Sequence, residues 1–232
     1  MKPEDVVEAR RASGVDERWQ GSRTTKLMRR VLRVLRLEGP MDLHLLGNLR
    51  DEGWGLSYRT RRSVDGKGRP IPWYTYACKD FLERRLRRDL RVFEYGCGNS
   101  TLWLARFVGE VVAVEHHPGW AEEVGRSAPD NVRIVRADEG DDYVTAIDGE
   151  GKFDVVVVDG LDRGRCALHA VASLSEGGVL VWDDSAWQEF RETWPGLESQ
   201  GFRELDFSGL GPISRDKSRT SILYRDGNCL GI

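Results

Sequence analysis

Short apolar runs alternate with longer stretches of helical spacing over the last two thirds of the chain. The first five apolar runs lie at residues 92–95, 110–115, 131–136, 153–159 and 177–182. Stretches with helical periodicity follow at residues 101–107, 117–127, 140–148 and 163–175. Strands that alternate with helices at this spacing predict right-handed βαβ crossovers and a parallel sheet.

The fourth run and the end of the chain refine this prediction. Residues 153–159 contain four consecutive valines, which is typical of a parallel strand that is buried on both faces. A helix near 186–199 and two further strands near 202–207 and 219–224 follow. The predicted fold class is therefore α/β, with a Rossmann-like doubly wound sheet.

The most informative segment joins the first strand to the first helix. Residues 94–101 read Glu-Tyr-Gly-Cys-Gly-Asn-Ser-Thr. Gly96 and Gly98 let the backbone turn sharply and let a ligand approach where a Cβ atom would block it. A helix that opens here directs its first N–H groups toward a ligand above the turn. We therefore predict that both glycines, together with Asn99, Ser100 and Thr101, bind a nucleotide-type cofactor.

Two carboxylates indicate which nucleotide the turn favours. Glu115 ends the second apolar run, 19 positions after Gly96, where doubly wound folds place an acidic residue that binds ribose hydroxyls. The third glycine of the dinucleotide fingerprint is absent, because Thr101 occupies its position. Glu94, two residues before the first glycine, would repel a pyrophosphate and attract a cationic ligand. These features favour S-adenosylmethionine over NAD.

Residues 92–101, Glu115 and the later strands resemble a class I S-adenosylmethionine-dependent methyltransferase over roughly residues 70–225. The resemblance is to small bacterial methyltransferases with an aromatic-rich leader, here residues 71–76, before an E-x-G-x-G-x-S-T turn. It implies a seven-stranded, mostly parallel sheet that closes with an antiparallel C-terminal hairpin. It also implies that Glu94 lies near the methionine part of the cofactor, that the two glycines line the same wall, and that Glu115 binds the ribose.

Further cofactor contacts are predicted around the turn. Trp73 and Tyr74 offer aromatic faces that attract a sulfonium or ammonium group, although aromatic residues before a helix also pack in cores. His116 lies near where the adenine of the related enzymes would be. Asp138 and Asp159 stand at the ends of the third and fourth strands, beyond which ligands of such sheets bind.

Strand-end carboxylates are also the candidate catalytic groups. A base is needed only when the methyl acceptor is a hydroxyl or a protonated amine, and Asp159 and Asp183 are the candidates. Metal-dependent O-methyltransferases of the catechol and caffeoyl-coenzyme-A type hold magnesium or calcium at positions that Asp159, Asp183 and Asp184 match. The alternative is that Asp184 caps the helix that follows. Leu161 also stands where the metal-dependent enzymes carry a lysine.

Length and composition indicate the domain organisation of the chain and its cellular location. The 232 residues suit one α/β domain with an N-terminal helical extension, divided here into a basic leader with a candidate lid (1–69) and a methyltransferase core (70–232). No apolar run reaches the ~20 residues of a membrane span. The charged N-terminus lacks a signal peptide's apolar region, and the four cysteines lack C-x-x-C spacing. We expect a cytoplasmic protein with reduced thiols.

The two parts of the chain differ in charge. Residues 1–91 carry 22 Lys and Arg against 13 Asp and Glu, whereas residues 92–232 carry 13 against 25. A basic leader on an acidic domain favours an anionic partner such as lipid, nucleic acid or glycan. Basic residues at helical spacing within 24–37 are equally typical of a solvated helix face that docks by its apolar side. No nucleic-acid-binding motif is present.

Three functions from different classes remain open at this stage. The first is a methyltransferase that acts on an oxygen or nitrogen atom of a small-molecule or glycan-type acceptor. The second is a catalytically silent module that binds the cofactor and acts through a partner. The third is an NAD-dependent oxidoreductase, which the absent glycine and Glu94 both oppose. The acceptor and the oligomeric state are not encoded in any motif of this sequence.

Overall fold

The computed structural model describes residues 23–45 and 47–232, and the chain divides into two compact units. The first unit is Met1–Leu49 and the second is Arg50–Ile232. Residues 1–22 of the predicted leader lie outside the described residues. The division predicted between residues 69 and 70 stays a prediction.

The described part of the first unit is helical. Helix α1 is Arg23–Val34, α2 is Glu38–Leu45, and α3 (Asn48–Asp51) crosses the boundary between the units. The predicted helical extension is therefore confirmed. Several apolar side chains of α1 are exposed, namely Leu27, Met28, Val31 and Val34. Among the described residues, no helix combines the length and the apolar character that a membrane crossing requires.

The second unit contains a seven-stranded sheet and helices that pack against it. The strands are β1 (Arg91–Tyr95), β2 (Glu110–Glu115), β3 (Val132–Arg136), β4 (Phe153–Val158), β5 (Leu174–Trp182), β6 (Arg203–Gly209) and β7 (Ser218–Tyr224). The helices are α4 (Trp54–Thr60), α5 (Tyr76–Glu83), α6 (Asn99–Leu104), α7 (Pro118–Gly125), α8 (Asp141–Thr145), α9 (Arg163–Ala170) and α10 (Gln188–Glu198), with a 3-10 turn at Val171–Ser173.

The sheet has the strand order β3-β2-β1-β4-β5-β7-β6. Strands β1 to β5 are parallel, whereas β7 is antiparallel to both β5 and β6. This arrangement confirms the predicted α/β class, the doubly wound sheet and the antiparallel C-terminal hairpin.

The valine run of β4 forms the centre of the sheet and is buried on both faces. Val155 and Val157 pack in one core cluster with Val92 of β1. Val156 and Val158 pack in the cluster on the other face. All four β4 valines are at most 1% exposed. Alternation along a strand sends successive side chains to opposite faces, so a strand covered on both sides must be apolar at every position.

The order of the strands determines where a ligand can bind. The chain leaves β1 toward β2 on one side and returns to β4 on the other, so the connections diverge between β1 and β4. In open α/β sheets the crevice outside the carboxyl ends of such strands is the usual ligand site. The glycine turn follows β1 and Asp159 follows β4, and both therefore lie at this crevice.

Candidate functional site

The glycine turn is held rigidly by its neighbours. Gly96 has a φ of +89°, and a Cβ atom there would lie 3.1 Å from the carbonyl oxygen of Asp159, so only glycine fits without strain. The next peptide is bonded on both sides: the Cys97 N–H donates to Glu115 Oε2 at 3.2 Å, and its carbonyl accepts from Trp120 Nε1 at 2.6 Å. Hydrogen bonds within the chain thus hold this wall of the crevice in place.

Glu94 lies directly beneath this turn and is completely buried. The Thr101 hydroxyl donates to its Oε2 atom and also accepts from the Gly98 N–H at 2.8 Å. Its Oε1 atom is buried without a hydrogen-bond partner among the described residues. Burial raises the pKa of Glu94 to about 7. A buried carboxylate oxygen without a donor is costly unless a ligand supplies one.

Glu115 ends β2 and is 5% exposed. Besides Cys97, its carboxylate accepts from the His117 N–H at 2.8 Å, and His116 Nδ1 lies 3.0 Å from its Oε1. These contacts fix the carboxylate at the edge of the crevice. Such an oriented acceptor suits vicinal hydroxyls, which donate to it in pairs.

A cavity of about 1220 Å³ opens above the turn, within the second unit. Its walls come from the turn, the ends of β2 and β4, helix α7 and the segment between α4 and α5. In this segment the Ser63 carbonyl accepts from Asn99 Nδ2 at 2.7 Å, which joins the segment to the start of α6. The volume exceeds that of ordinary small-ligand pockets, so the cavity can hold a cofactor and a second molecule.

Beside the cavity, Arg163 organises a cluster of carboxylates. Its Nη2 atom donates to Asp159 Oδ1 at 3.1 Å, and its Nη1 atom donates to Asp184 Oδ2 at 3.3 Å and to the Asp183 carbonyl at 2.6 Å. The carboxylate of Asp183 instead accepts from the Thr220 hydroxyl at 2.6 Å. Arg163 is only 8% exposed, so the guanidinium is the internal counter-ion of this cluster.

Two carboxyl groups in the cluster have raised pKa values. Burial raises the pKa of Asp159 to about 7, although Arg163 opposes the shift. Burial and the neighbouring carboxylates raise the pKa of Asp183 well above its usual range. Near neutral pH, Asp159 is therefore poised between its protonated and ionised forms, as a proton acceptor or donor requires.

Residues 93–185 match the model of a family described as a methyltransferase domain. The matched segment runs from β1 past β5 and contains the turn, Glu115 and the carboxylate cluster. The match covers less than half of the chain, and this segment is similar to a methyltransferase domain. No curated protein matches the sequence.

Several solved structures share the fold of this chain. An O-methyltransferase from Bacillus cereus, in complex with SAH, is 15% identical with a TM-score of 0.56, over 82% of this chain and 97% of that one. A precorrin 8w decarboxylase from Methanobacterium thermoautotrophicum is 19% identical with a TM-score of 0.52, over 72% and 97%. A precorrin-6y C5,15-methyltransferase from Geobacter metallireducens is 15% identical with a TM-score of 0.50, over 63% and 85%.

The fold brings most of the predicted cofactor residues to one cavity. Those that line it are Trp73, Gly96, Gly98, Asn99, Ser100, Glu115, His116 and Asp159. Glu94, Thr101 and Tyr74 lie behind the lining, where all three are fully buried. Asp138 is exposed and does not line the cavity. The predicted contact between Asp138 and the cofactor therefore has no support in this arrangement.

Tyr74 differs from its neighbour Trp73, with which it was predicted to offer an aromatic face. Trp73 is 50% exposed at the cavity wall, whereas Tyr74 is completely buried. The Tyr74 hydroxyl has no hydrogen-bond partner among the described residues. Burial and the charges of Glu94, Asp159 and Asp183 raise its pKa well above its usual range. The hydroxyl is therefore neutral at ordinary pH and keeps its proton as a hydrogen-bond donor.

The arrangement of the carboxylate cluster does not fit the predicted metal site. Asp159 and Asp184 are already paired with the guanidinium of Arg163, and the Asp183 carboxylate is bonded to Thr220. Within residues 23–45 and 47–232, no group of three His, Cys, Asp or Glu side chains is placed to hold a metal ion. Asp184 does not cap a helix either, because α10 begins only at Gln188. A divalent ion would have to displace an arginine that is buried in the fold.

Sequence reasoning missed three contributors to the site. Trp120, in the first turn of α7, lines the cavity and fixes the turn through Cys97. The Tyr143 hydroxyl lacks a partner among the described residues and packs against Gly160, where a Cβ would come within 2.0 Å of it. Arg163, the first residue of α9, is buried and pairs with the carboxylates of Asp159 and Asp184. In the sequence, the only feature that could have indicated these three residues is that each follows the end of a predicted strand.

Proposed function

We propose that the chain is a methyltransferase that uses S-adenosylmethionine to methylate an oxygen or nitrogen atom of a small-molecule or glycan-type acceptor. The observation that carries the proposal is Glu94, a buried carboxylate with one unsatisfied oxygen directly beneath a glycine turn. An anion in this place disfavours a pyrophosphate and favours a cation. The Bacillus cereus O-methyltransferase, which shares the fold, was solved with SAH.

The residues present fit this cofactor. Glu94 would attract its positive charge, Gly96 and Gly98 would allow its close approach, and Glu115 would accept hydrogen bonds from the ribose hydroxyls. His116, beside Glu115, would lie next to the base. When bound, S-adenosylmethionine supplies a methyl group on a positively charged sulfur atom.

The protein's own contribution is to position the acceptor and to handle its proton. Trp73, 50% exposed, provides an apolar wall of the cavity. Asp159 lines the same cavity, and its pKa of about 7 lets it take a proton from a hydroxyl or an ammonium group. Arg163 then stabilises the ionised form of Asp159 between turnovers. Holding two reactants in one enclosed site is the main source of rate enhancement for such a transfer.

One observation favours the silent cofactor-binding module as a second candidate. Asp159, the only predicted base that lines the cavity, is already bonded to Arg163. In a silent module that ion pair would be permanent, and no acceptor would be methylated. Turnover of any acceptor would exclude this alternative, whereas tight cofactor binding without turnover across a broad acceptor panel would support it.

The first experiment is a calorimetric titration of the purified protein with S-adenosylhomocysteine and, in parallel, with NAD. We expect saturable binding of the nucleoside and none of NAD. Glu94→Gln keeps the size and the Thr101 contact but removes the charge, so it tests the role of the carboxylate. Binding of NAD alone would overturn the proposal. Transfer of a labelled methyl group to an acceptor panel then separates the enzyme from the silent module.

A further inference from the structure

A second, smaller concave site lies at the same edge of the sheet as the methyltransferase cavity. It has a volume of about 310 Å³ and is lined by Ala186, Arg191, Ser208, Lys217, Ser218 and Arg219. The site, termed the basic cleft below, lies where β6 ends and β7 begins. Because β7 runs antiparallel to β5, its first residues lie beside the carboxyl end of β5, where Asp183 and Asp184 follow.

The basic cleft concentrates positive charge in an acidic part of the chain. Three of its six lining side chains are cationic and none is a carboxylate. Residues 92–232 carry only 13 Lys and Arg against 25 Asp and Glu, so this convergence runs against the local composition. Arg191 and Lys217 are exposed, and neither forms an ion pair with a described side chain. Asp216 precedes Lys217 in the chain but does not line the cleft.

Arg219 is the fixed element of the basic cleft. Its Nε atom donates to the Ser185 hydroxyl at 3.2 Å, and its Nη2 atom donates to the Ser185 carbonyl. The guanidinium also lies over the ring of Phe190, 5.5 Å from the centroid. These contacts fix the plane of the guanidinium without neutralising its charge. A fixed guanidinium loses little entropy when it binds an oxyanion through two hydrogen bonds.

Trp187 follows both the carboxylate cluster and the first residue of the basic cleft along the chain. It follows the cleft residue Ala186 directly and is 55% exposed. Its ring faces the guanidinium of Arg163, 4.9 Å away, and Arg163 contacts Asp159 at the methyltransferase cavity. An exposed indole in this place offers a flat apolar surface next to the reacting end of an acceptor.

We infer that the basic cleft binds a phosphate or sulfate group of the methyl acceptor. The inference rests on the proposed function and narrows its substrate class to small molecules that carry such an oxyanion. Three cationic side chains and the Ser218 hydroxyl supply the donors that a tetrahedral oxyanion needs, whereas the Ser208 hydroxyl donates to Asp206 Oδ2 at 3.4 Å. The acceptor would place its anionic group here and the rest of the molecule toward Trp187 and Asp159.

The binding test titrates the full chain with inorganic phosphate at constant ionic strength. Phosphorus NMR measures how much of the phosphate is bound. We expect saturable binding by the wild type and at least about tenfold weaker binding by the double variant Arg191→Gln/Lys217→Gln, because charge-assisted hydrogen bonds are lost. Arg84→Gln/Lys152→Gln removes the same charge from exposed positions outside the cleft and should leave the affinity unchanged. Equal affinities in all three proteins, or no saturable binding by the wild type, would overturn the inference.

The substrate test compares methyl transfer to pairs of hydroxylated compounds that differ only by one phosphate ester. The phosphorylated member should turn over faster, and the cleft variant should lose this preference while its affinity for S-adenosylhomocysteine stays unchanged. No preference in the wild type would overturn the inference but not the proposed function. Failure of the wild type to bind S-adenosylhomocysteine would defeat the proposed function and, with it, the assignment of the oxyanion to a methyl acceptor, whereas the phosphate-binding result would stand. Tight binding of a short RNA that inorganic phosphate does not displace would favour a nucleic-acid site instead.

Discussion

Glu94 shows how one side chain combines a cost for folding with a role in binding. Its carboxyl group is completely buried, one of its oxygens has no partner among the described residues, and its pKa rises to about 7. A pKa raised by folding means that the protein holds the proton more tightly than the unfolded chain does. Stability from this group is therefore greatest at acid pH and is lost as the pH rises through 7.

Replacement of Glu94 by glutamine should remove this pH dependence. The ordinary pKa is 4.5, so ionisation of Glu94 should cost the wild type on the order of 2 to 3 kcal/mol between pH 5 and pH 8. Glu94→Gln should lose less stability than the wild type over the same range by about this amount, while its affinity for S-adenosylhomocysteine falls. Denaturant titrations at both pH values measure the difference.

A matched variant separates Glu94 from its neighbour. Asp159 also has a raised pKa, so Asp159→Asn should remove a separate part of the pH dependence. If Glu94→Gln and the wild type lost equal stability between pH 5 and pH 8, the carboxyl group would not be the buried acid described above.

Arg163 provides the second test at the scale of a residue. Arg163→Met leaves Asp159 and Asp184 without their buried counter-ion and should cost about 3 to 5 kcal/mol of unfolding free energy. Arg165, two residues later on α9, also bridges two carboxylates, but its side chain is 54% exposed. Arg165→Met should therefore cost far less stability than Arg163→Met, because solvent screens an exposed ion pair. Similar losses in the two variants would contradict the assignment of Arg163 as an internal counter-ion.

At the scale of elements, the glycine turn is defined by the strands on either side of it. Gly96 packs against Asp159, the residue after β4. Because β1 and β4 pair in parallel, the backbone of Asp159 occupies the space that a Cβ atom at Gly96 would need. Gly98 is different: its φ is extended, and a Cβ would only touch the Trp120 ring at 3.8 Å. The space above Gly98 belongs to the cavity. One glycine therefore serves the fold, and the other keeps space for a ligand.

This difference gives a paired prediction. Gly96→Ala should destabilise the protein by roughly 2 kcal/mol or more, because a side chain at a positive φ is strained and meets backbone at 3.1 Å. Gly98→Ala should change stability by less than about 1 kcal/mol and yet weaken S-adenosylhomocysteine binding at least tenfold. Thermal unfolding and calorimetry on both variants test the two halves. Unchanged affinity in Gly98→Ala would mean that the cofactor does not approach this wall.

The elements themselves were largely predictable from the sequence, because they follow from local patterns. β2 has the bounds that its apolar run predicted, and the β4 valines lie where burial on both faces requires them. Helix α6 begins at Asn99 instead of near residue 101, because the Gly98 N–H and the Thr101 hydroxyl form a cap that no periodicity reveals. Contacts between distant segments, such as Trp120 with Cys97, have no local signal and could not be predicted.

At the scale of the whole molecule, the charge asymmetry of the sequence has a local counterpart. The acidic part of the chain gathers carboxylates at the ends of β1, β2, β4 and β5, and cations at the start of β7. The cofactor cavity and the basic cleft both lie within residues 50–232. The basic leader and its proposed anionic partner remain a prediction, since the sites described above do not involve the first unit.

Removal of the first unit should therefore leave cofactor binding intact. A chain that begins at Asn48 keeps α3 whole and retains every residue that lines the cavity. We expect cooperative unfolding and an affinity for S-adenosylhomocysteine within about twofold of the full chain, because compact units of this size fold independently. Circular dichroism and calorimetry provide the measurement. Loss of affinity in a folded truncated protein would show that the residues before Asn48 contribute to the site.

Trp73 and Trp120 both line the cavity above the glycine turn and are about half exposed, at 50% and 41%. The large indoles Trp103 and Trp182, by contrast, are buried in the core, and their surroundings are fixed by the fold. A molecule that enters the cavity thus replaces water around two emitting side chains and leaves the buried ones unaffected. Intrinsic tryptophan fluorescence should therefore report the occupancy of the cavity without any label.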